Sequence, residues 1–200
     1  MKTYVVAITG ASGSVYGLRL VEQLLASGAA VTLIVTKAGR EVMAYETGFS
    51  LADVGPTAVD AVLRFLEIAP GAPLRVVASD DLFDAAASGS ARIDAMAVCP
   101  ASMGFCGSVA AGLASDLPER AADVMLKERR PLVIVPRETP MSLVHLRNLT
   151  SLAEAGAVIV PPSPAFYQRP KTIDDLVDFV VGKVLDQLGV EHHLFTRWGE

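Results

Sequence analysis

Sulfur and imidazole are scarce in this chain. Its 200 residues include two cysteines, Cys99 and Cys106, and three histidines, none before His145. Two cysteines do not make a disulfide-rich secreted scaffold. His145, His192 and His193 are too dispersed to suggest a structural zinc site. Aromatic residues make up only 6% of the chain against 16 glycines, so Ala, Val and Leu fill the expected core, with close backbone approaches at glycine. Excess positive charge is missing too. Lys plus Arg is 17 against 22 for Asp plus Glu, a net charge of −5, which gives no support for broad binding to nucleic acid or membrane. No uncharged apolar run reaches the about 18 residues of a membrane span. The segment Met1–Ile8 lacks the basic leader and long apolar stretch of a signal peptide, so the cytoplasm is the expected compartment.

What is present is a hydrophobic chain, 52% apolar with 20% charged residues, organised as buried strands alternating with amphipathic helices. Tyr4 to Thr9 reads as a buried strand, broken by Gly10-Ala11-Ser12-Gly13-Ser14. Leu18, Val21 and Leu25 then fall at helical spacing, Ser27-Gly28 ends that helix, and Val31 to Val35 forms a second strand. This β–loop–α–β opening predicts an open parallel α/β sheet with helices on both faces. Further helices are expected at Gly39 to Tyr45, Val59 to Ile68, Met103 to Leu113, Ala121 to Glu128, Leu143 to Ala153 and Asp174 to Leu188. Further strands are expected at Leu74 to Ala78, Ala95 to Val98, Pro131 to Val135 and Ala157 to Val160. Asp80 to Ser90 reads as a loop, and Pro161-Pro162-Ser163-Pro164 as a rigid extended segment. One domain spans 1–188. The tail 189–200, with Phe195 and Trp198, is expected to pack at a subunit interface.

Three clusters carry candidate chemistry. The loop Thr9–Gly13 lies between a strand and a helix, where backbone N–H groups can receive a phosphate or carboxylate. It lacks the Lys-Ser/Thr ending of a nucleotide P-loop and the spacing of the dinucleotide fingerprint, so turn geometry alone is the competing reading. A second cluster, Arg120, Lys127, Arg129, Arg130, Arg137 and Glu138, brackets the strand Pro131–Val135. Arg137 and Glu138 follow its carboxyl end, where open parallel sheets bind ligands. Arg129 and Arg130 lie at the opposite end and read as surface or interface residues. In the third cluster, Ser88-Gly89-Ser90 and Cys99-Pro100-Ala101-Ser102 are small enough for a flat ligand to approach the backbone. Cys99 has no histidine placed with it and reads as buried packing, as does Cys106. His145 reads as a local hydrogen-bonding residue.

Taken in order, these residues resemble the UbiX flavin prenyltransferase family over nearly the whole chain. The resemblance is carried by Thr9–Gly13 with Tyr16-Gly17-Leu18-Arg19-Leu20, by Tyr45-Glu46-Thr47, by Ser88-Gly89-Ser90, and most strongly by the run Glu119–Glu138. Phe166-Tyr167 and Leu176-Val177-Asp178-Phe179-Val180 complete it. The resemblance implies a flavodoxin-like, Rossmann-like fold and a homo-oligomer, commonly a dodecamer. It implies metal-independent transfer of a dimethylallyl group from dimethylallyl phosphate to N5 and C6 of reduced FMN, whose product serves a UbiD-type decarboxylase.

The same resemblance assigns roles. Gly10, Ala11, Ser12, Thr36, Ser102, Met103, Gly104, Phe105 and Arg137 would bind FMN. Ser88, Gly89, Arg120, Lys127, Tyr167 and Lys183 would form the phosphate and prenyl pocket, partly across subunits. Glu46, Lys127, Arg137, Glu138 and Tyr167 would be catalytic, Glu138 as a proton acceptor. Three positions depart from the family pattern. Phe105 stands where a small hydroxyl residue is usual, Asp116 replaces an asparagine, and Leu82 replaces an aromatic residue found in some relatives. Lys183 stands where arginine is frequent. These departures keep open a flavin-binding or carrier paralogue without transferase activity. A peptidyl-cysteine decarboxylase would need a histidine in the early flavin region, and an electron-transfer flavodoxin would leave the clustered cations unexplained.

Overall fold

The computed structural model describes residues 1–51, 54–197 and 199. Six strands form one parallel sheet: β1 (Thr3–Ile8), β2 (Ala30–Val35), β3 (Leu74–Val77), β4 (Ala95–Ala101), β5 (Leu132–Pro136) and β6 (Val158–Ile159), in the order β3-β2-β1-β4-β5-β6. The helices are α1 (Ser14–Ala26), α2 (Lys37–Thr47), α3 (Pro56–Phe65), α4 (Met103–Ala110), α5 (Leu117–Lys127), α6 (Leu143–Glu154) and α7 (Ile173–Leu188). This is the doubly wound α/β fold that the strand–helix alternation predicts.

Strand side chains alternate between two cores, as the two-residue period of a strand requires. Tyr4, Val6, Ile8, Leu33 and Val35 face α1, α3 and α7. Val5, Ala7, Ile34, Met96, Val98 and Ile134 face α4, α5 and α6. Both faces are covered, so the central strands carry no polar face, and each fully buried Val, Leu or Ile contributes about 1.5–3 kcal/mol.

Several boundaries differ from the sequence expectation, each for a local reason. α2 begins at Lys37 because the Thr36 hydroxyl caps it, accepting from the Gly39 N–H at 3.1 Å. α3 starts at Pro56, a residue suited to a first helical turn. β4 runs through the cis Cys99–Pro100 bond to Ala101 instead of stopping at Val98. α5 starts four residues early, at Leu117, capped by Asp116. Within the expected loop 80–90, Ala85–Ala87 forms a 3₁₀ turn. α7 opens at Ile173 on a reciprocal cap between Thr172 and Asp175.

The tail folds back on its own α7. The Phe195 ring lies 5.1 Å from Phe179 and 5.1 Å from His192, and Arg197 and His192 both reach Asp186. Trp198, which prompted the interface expectation, lies outside the described residues.

Candidate active site

The strand order places the topological switch of the sheet between β1 and β4, the position at which doubly wound sheets bind ligands beyond their carboxyl ends. The loops leaving these strands are stitched together there. Both the N–H and the hydroxyl of Thr9 donate to Pro100 O, at 3.2 and 3.0 Å, and the Ser102 N–H donates to the Thr9 hydroxyl at 2.7 Å. The Arg137 N–H donates to Ala101 O at 3.0 Å, and its Nε donates to Ser12 O at 3.3 Å. α1 is pressed onto these strand ends: a Cβ at Gly17 would lie 2.2 Å from Cys99 O and 2.7 Å from the Ile8 side chain. Only glycine permits that approach.

The amino end of α1 is already occupied. The Glu46 carboxylate, from the last turn of α2, accepts from the Gly13 N–H at 3.1 and 3.0 Å and from the Ser14 N–H at 3.0 Å. Burial opposes charge on Glu46, but the Ser12 hydroxyl and the amides of Ser14 and Gly13 outweigh it, and its carboxyl is held below the usual carboxylate range. The loop expected to receive a phosphate or carboxylate receives a carboxylate of its own chain.

A cleft of about 1150 Å³ opens beside this loop. Ser12, Glu46, Arg137 and Glu138 line it, and Pro161–Pro164 forms part of its rim. Glu138 is half-buried, with one carboxylate oxygen accepting from the Thr139 N–H at 3.0 Å. One wall is a cross-link that sequence reasoning missed. Arg19 donates from Nε to Asp178 Oδ1 at 2.7 Å and from a terminal nitrogen to Asp178 Oδ2 at 3.1 Å, with Glu22 on its other side. Those carboxylates push the Arg19 pKa further up. Both residues sit in motifs singled out in the sequence, but no local spacing pairs positions so far apart.

Gly10, Ala11, Thr36, Ser102, Met103 and Gly104 do not line this cleft. They gather at the adjacent crevice, where Gly10 approaches Ala38 and Ser102 meets Thr9. Gly10 and Gly104 are exposed. α2 and α4 both begin there, each capped by a hydroxyl, and the first amides of a helix have no intrahelical partner. Exposed glycines, hydroxyls and amide donors at a crevice fit a flat ring carrying a phosphate. Phe105 is different: only 6% exposed, it packs into the core beneath α4, and its N–H is held by the Ser102 hydroxyl at 3.2 Å.

A separate set gathers along α5. Arg120 donates to Ala87 O at 3.2 Å and pairs with Asp123 at 2.7 Å. Lys127 pairs with Glu128 at 2.6 Å, against Gly89. The Ser88 and Ser90 hydroxyls are 2.8 Å apart. None of these residues lines the cleft. Tyr167 and Lys183 lie along α7: the Tyr167 ring meets Phe179 edge-on at 6.1 Å, and Lys183 reaches Asp186 at 3.3 Å. The structure thus brings Ser12, Glu46, Arg137 and Glu138 together, and Ser88, Gly89, Arg120 and Lys127 together, as two groups.

Asp116 accepts from the Glu119 N–H at 2.9 Å as the cap of α5, a task asparagine performs equally well. Leu82 is exposed beside the fully exposed Phe83. Cys99 is fully buried with its thiol pKa raised, and burial pushes the Cys106 thiol up to about 12, so neither is a nucleophile. His145 caps α6 reciprocally with Ser142. Among the described residues no helix is long and apolar enough to cross a membrane.

A flavoprotein family model matches residues 1–185. The flavin prenyltransferase UbiX of Halalkalibacterium halodurans is 48% identical over 98% of this chain and 93% of its own. A crystal structure of AnUbiX in complex with FMN and dimethylallyl pyrophosphate superposes with a TM-score of 0.87 at 38% identity, covering 100% of this chain and 98% of that one. A dodecameric FMN-dependent UbiX-like decarboxylase from Escherichia coli O157:H7 superposes with a TM-score of 0.86 at 37% identity, covering 99% of this chain and 100% of that one.

Proposed function

The chain belongs to the UbiX flavin prenyltransferase family, and we propose that it transfers a dimethylallyl group from dimethylallyl phosphate to reduced FMN, making prenylated FMN for a UbiD-type decarboxylase. The observation that carries this reading is the cleft in which Ser12, Glu46, Arg137 and Glu138 meet beside the sheet's switch point.

Gly10, Ala11, Thr36, Ser102, Met103 and Gly104 hold the flavin at the crevice. Reduced FMN, when bound, supplies the nucleophile. Arg137, fixed by Ser12 O and Ala101 O, faces flavin and donor together. Glu46, its carboxyl held below the usual carboxylate range by the Ser12 hydroxyl and the amides of Ser14 and Gly13, keeps the α1 loop in one geometry. The Glu138 carboxylate accepts the proton that must leave the ring-closing carbon.

Negative charge grows on the departing phosphate, and preset cations lower that cost. Arg120, Lys127 and Lys183, with Ser88, Gly89 and Tyr167, are the groups for it. They do not line the cleft of their own chain, which supports a homo-oligomer in which a neighbouring protomer brings them to it; a relative of the same fold is dodecameric. Two unbridged, buried thiols support a reducing, cytoplasmic location.

The carrier reading drew on Phe105 and Asp116. Phe105 packs into the core and Asp116 caps a helix, and neither lines the cleft. Anaerobic mass spectrometry of the flavin, after incubation with FMN, a reductant and dimethylallyl phosphate, tests the choice. Transfer adds one C5H8 unit only with the enzyme present. Unchanged FMN with both ligands bound would establish the carrier. Repeating the assay with dimethylallyl pyrophosphate settles the donor.

A further inference from the structure

Arg130, half-buried like Arg120 and Arg137, turns under its own chain at the end of α5. It follows Arg129, whose backbone sits at φ 55°, and its own N–H bonds back to Met125 O at 2.8 Å. That tight turn at the end of α5 directs a half-buried guanidinium beneath the segment 87–91. One terminal nitrogen donates to Ala91 O at 2.7 Å and the other to Gly89 O at 2.7 Å. Arg120 donates to Ala87 O at 3.2 Å, two residues earlier. Carbonyls 87, 89 and 91 are thus held by arginines, while Ser88 and Ser90 remain exposed with their hydroxyls 2.8 Å apart.

Gly89 is also where Lys127 rests. A Cβ there would lie 2.8 Å from the Lys127 ammonium and 2.2 Å from Glu128 Oε1. The carbonyl held by Arg130 therefore belongs to the residue against which Lys127 is seated. Glu128 Oε1 receives the Lys127 ammonium at 2.6 Å and fills the place of an anion.

We propose that Arg130 is a positioning residue for the prenyl-phosphate site: by bridging the carbonyls of Gly89 and Ala91 it fixes the strip that presents Ser88 and seats Lys127. This rests on the reading that Ser88 and Lys127 take the donor's phosphate. Arg130 touches neither donor nor flavin. Its planar fork spans two carbonyls at once, which a single ammonium does not reproduce.

Arg130→Lys separates this role from mere folding. Relative to wild type, KM for dimethylallyl phosphate rises about tenfold, with kcat within about twofold, since a displaced strip weakens a charge-assisted contact. FMN affinity and melting temperature hold, and amide hydrogen exchange quickens across residues 88–92 but not across α5. Should Arg130→Lys fail to fold, Arg130→Gln, which keeps one amide donor, is measured in the same way. An unchanged KM in the folded variant overturns the proposal, as does a parallel loss of FMN affinity and stability. Lys127→Ala is the reference. If it raises KM and Arg130→Lys does not, the positioning role fails alone; if neither does, the assignment of the phosphate site fails.

Discussion

The cleft and the α5 rim are built on opposite plans. At the cleft, strand ends, helix caps and side chains lock one another: Thr9 to Pro100, Ser102 to Thr9, Arg137 to Ser12, Glu46 to the start of α1. At the rim, cations are exposed and paired with neighbouring acids, Arg120 with Asp123 and Lys127 with Glu128. Such exposed pairs are worth little and exchange readily. On the proposed assignment the flavin side is preorganised by backbone, and the phosphate side keeps its charges on acids that an arriving anion would displace.

The contrast sets the order of expected effects. Lys127→Ala lowers kcat/KM for the dimethylallyl donor by about a hundred- to thousandfold and leaves FMN affinity unchanged; a parallel fall in FMN binding, measured by fluorescence quenching, would erase the distinction between the two regions. Glu138→Gln slows closure of the fourth flavin ring by about a hundredfold with FMN retained, read by rapid-quench mass spectrometry; normal closure removes Glu138 from the reaction. Gly17→Ala probes the locked side, since its Cβ would meet Cys99 O. It costs about 2 kcal/mol and about 5 °C in Tm, and an unchanged melting curve would mean the α1 contact is slack.

Glu46→Gln is a smaller change with a definite pH dependence. The folded-state pKa of Glu46 is depressed, so its contribution is complete above the usual carboxylate range and is lost as pH falls through the lower folded value. At pH 7 the variant loses about 0.5–1 kcal/mol. In denaturant titrations the two proteins converge in acid, and a gap that persists there would assign the effect to packing. Asp116→Asn is the smallest: both residues cap equally, so stability changes by less than about 0.5 kcal/mol, and donor KM stays as it was.

The local order of the chain was largely legible. Short apolar runs punctuated by glycine and serine placed β1, α1 and β2, and the position of Arg137 and Glu138 after a strand placed them at the cleft. Less visible was whatever depends on two distant segments. Proline at 100 reads as a strand stop, yet β4 continues through it, because the Pro100 carbonyl is needed by Thr9. The helix expected from Ala121 starts at Leu117, capped by Asp116. The Arg19–Asp178 cross-link joins residues separated by 159 positions, and the Arg130 clamp residues separated by 39 and 41. No periodicity reports such pairs. The roles proposed for Lys127 and Tyr167 rest on the family resemblance; spacing alone leaves Lys127 as readily a surface lysine.

For the design of small molecules against the cleft, the Glu46 carboxylate at the start of α1 reverses a common strategy. A helix amino terminus beside a glycine loop invites a phosphate or tetrazole warhead. Here such a group must evict a resident anion held by two backbone amides. A scaffold that is uncharged at this end, leaving Glu46 in place, and carries its anionic group toward Arg137 makes the better starting point.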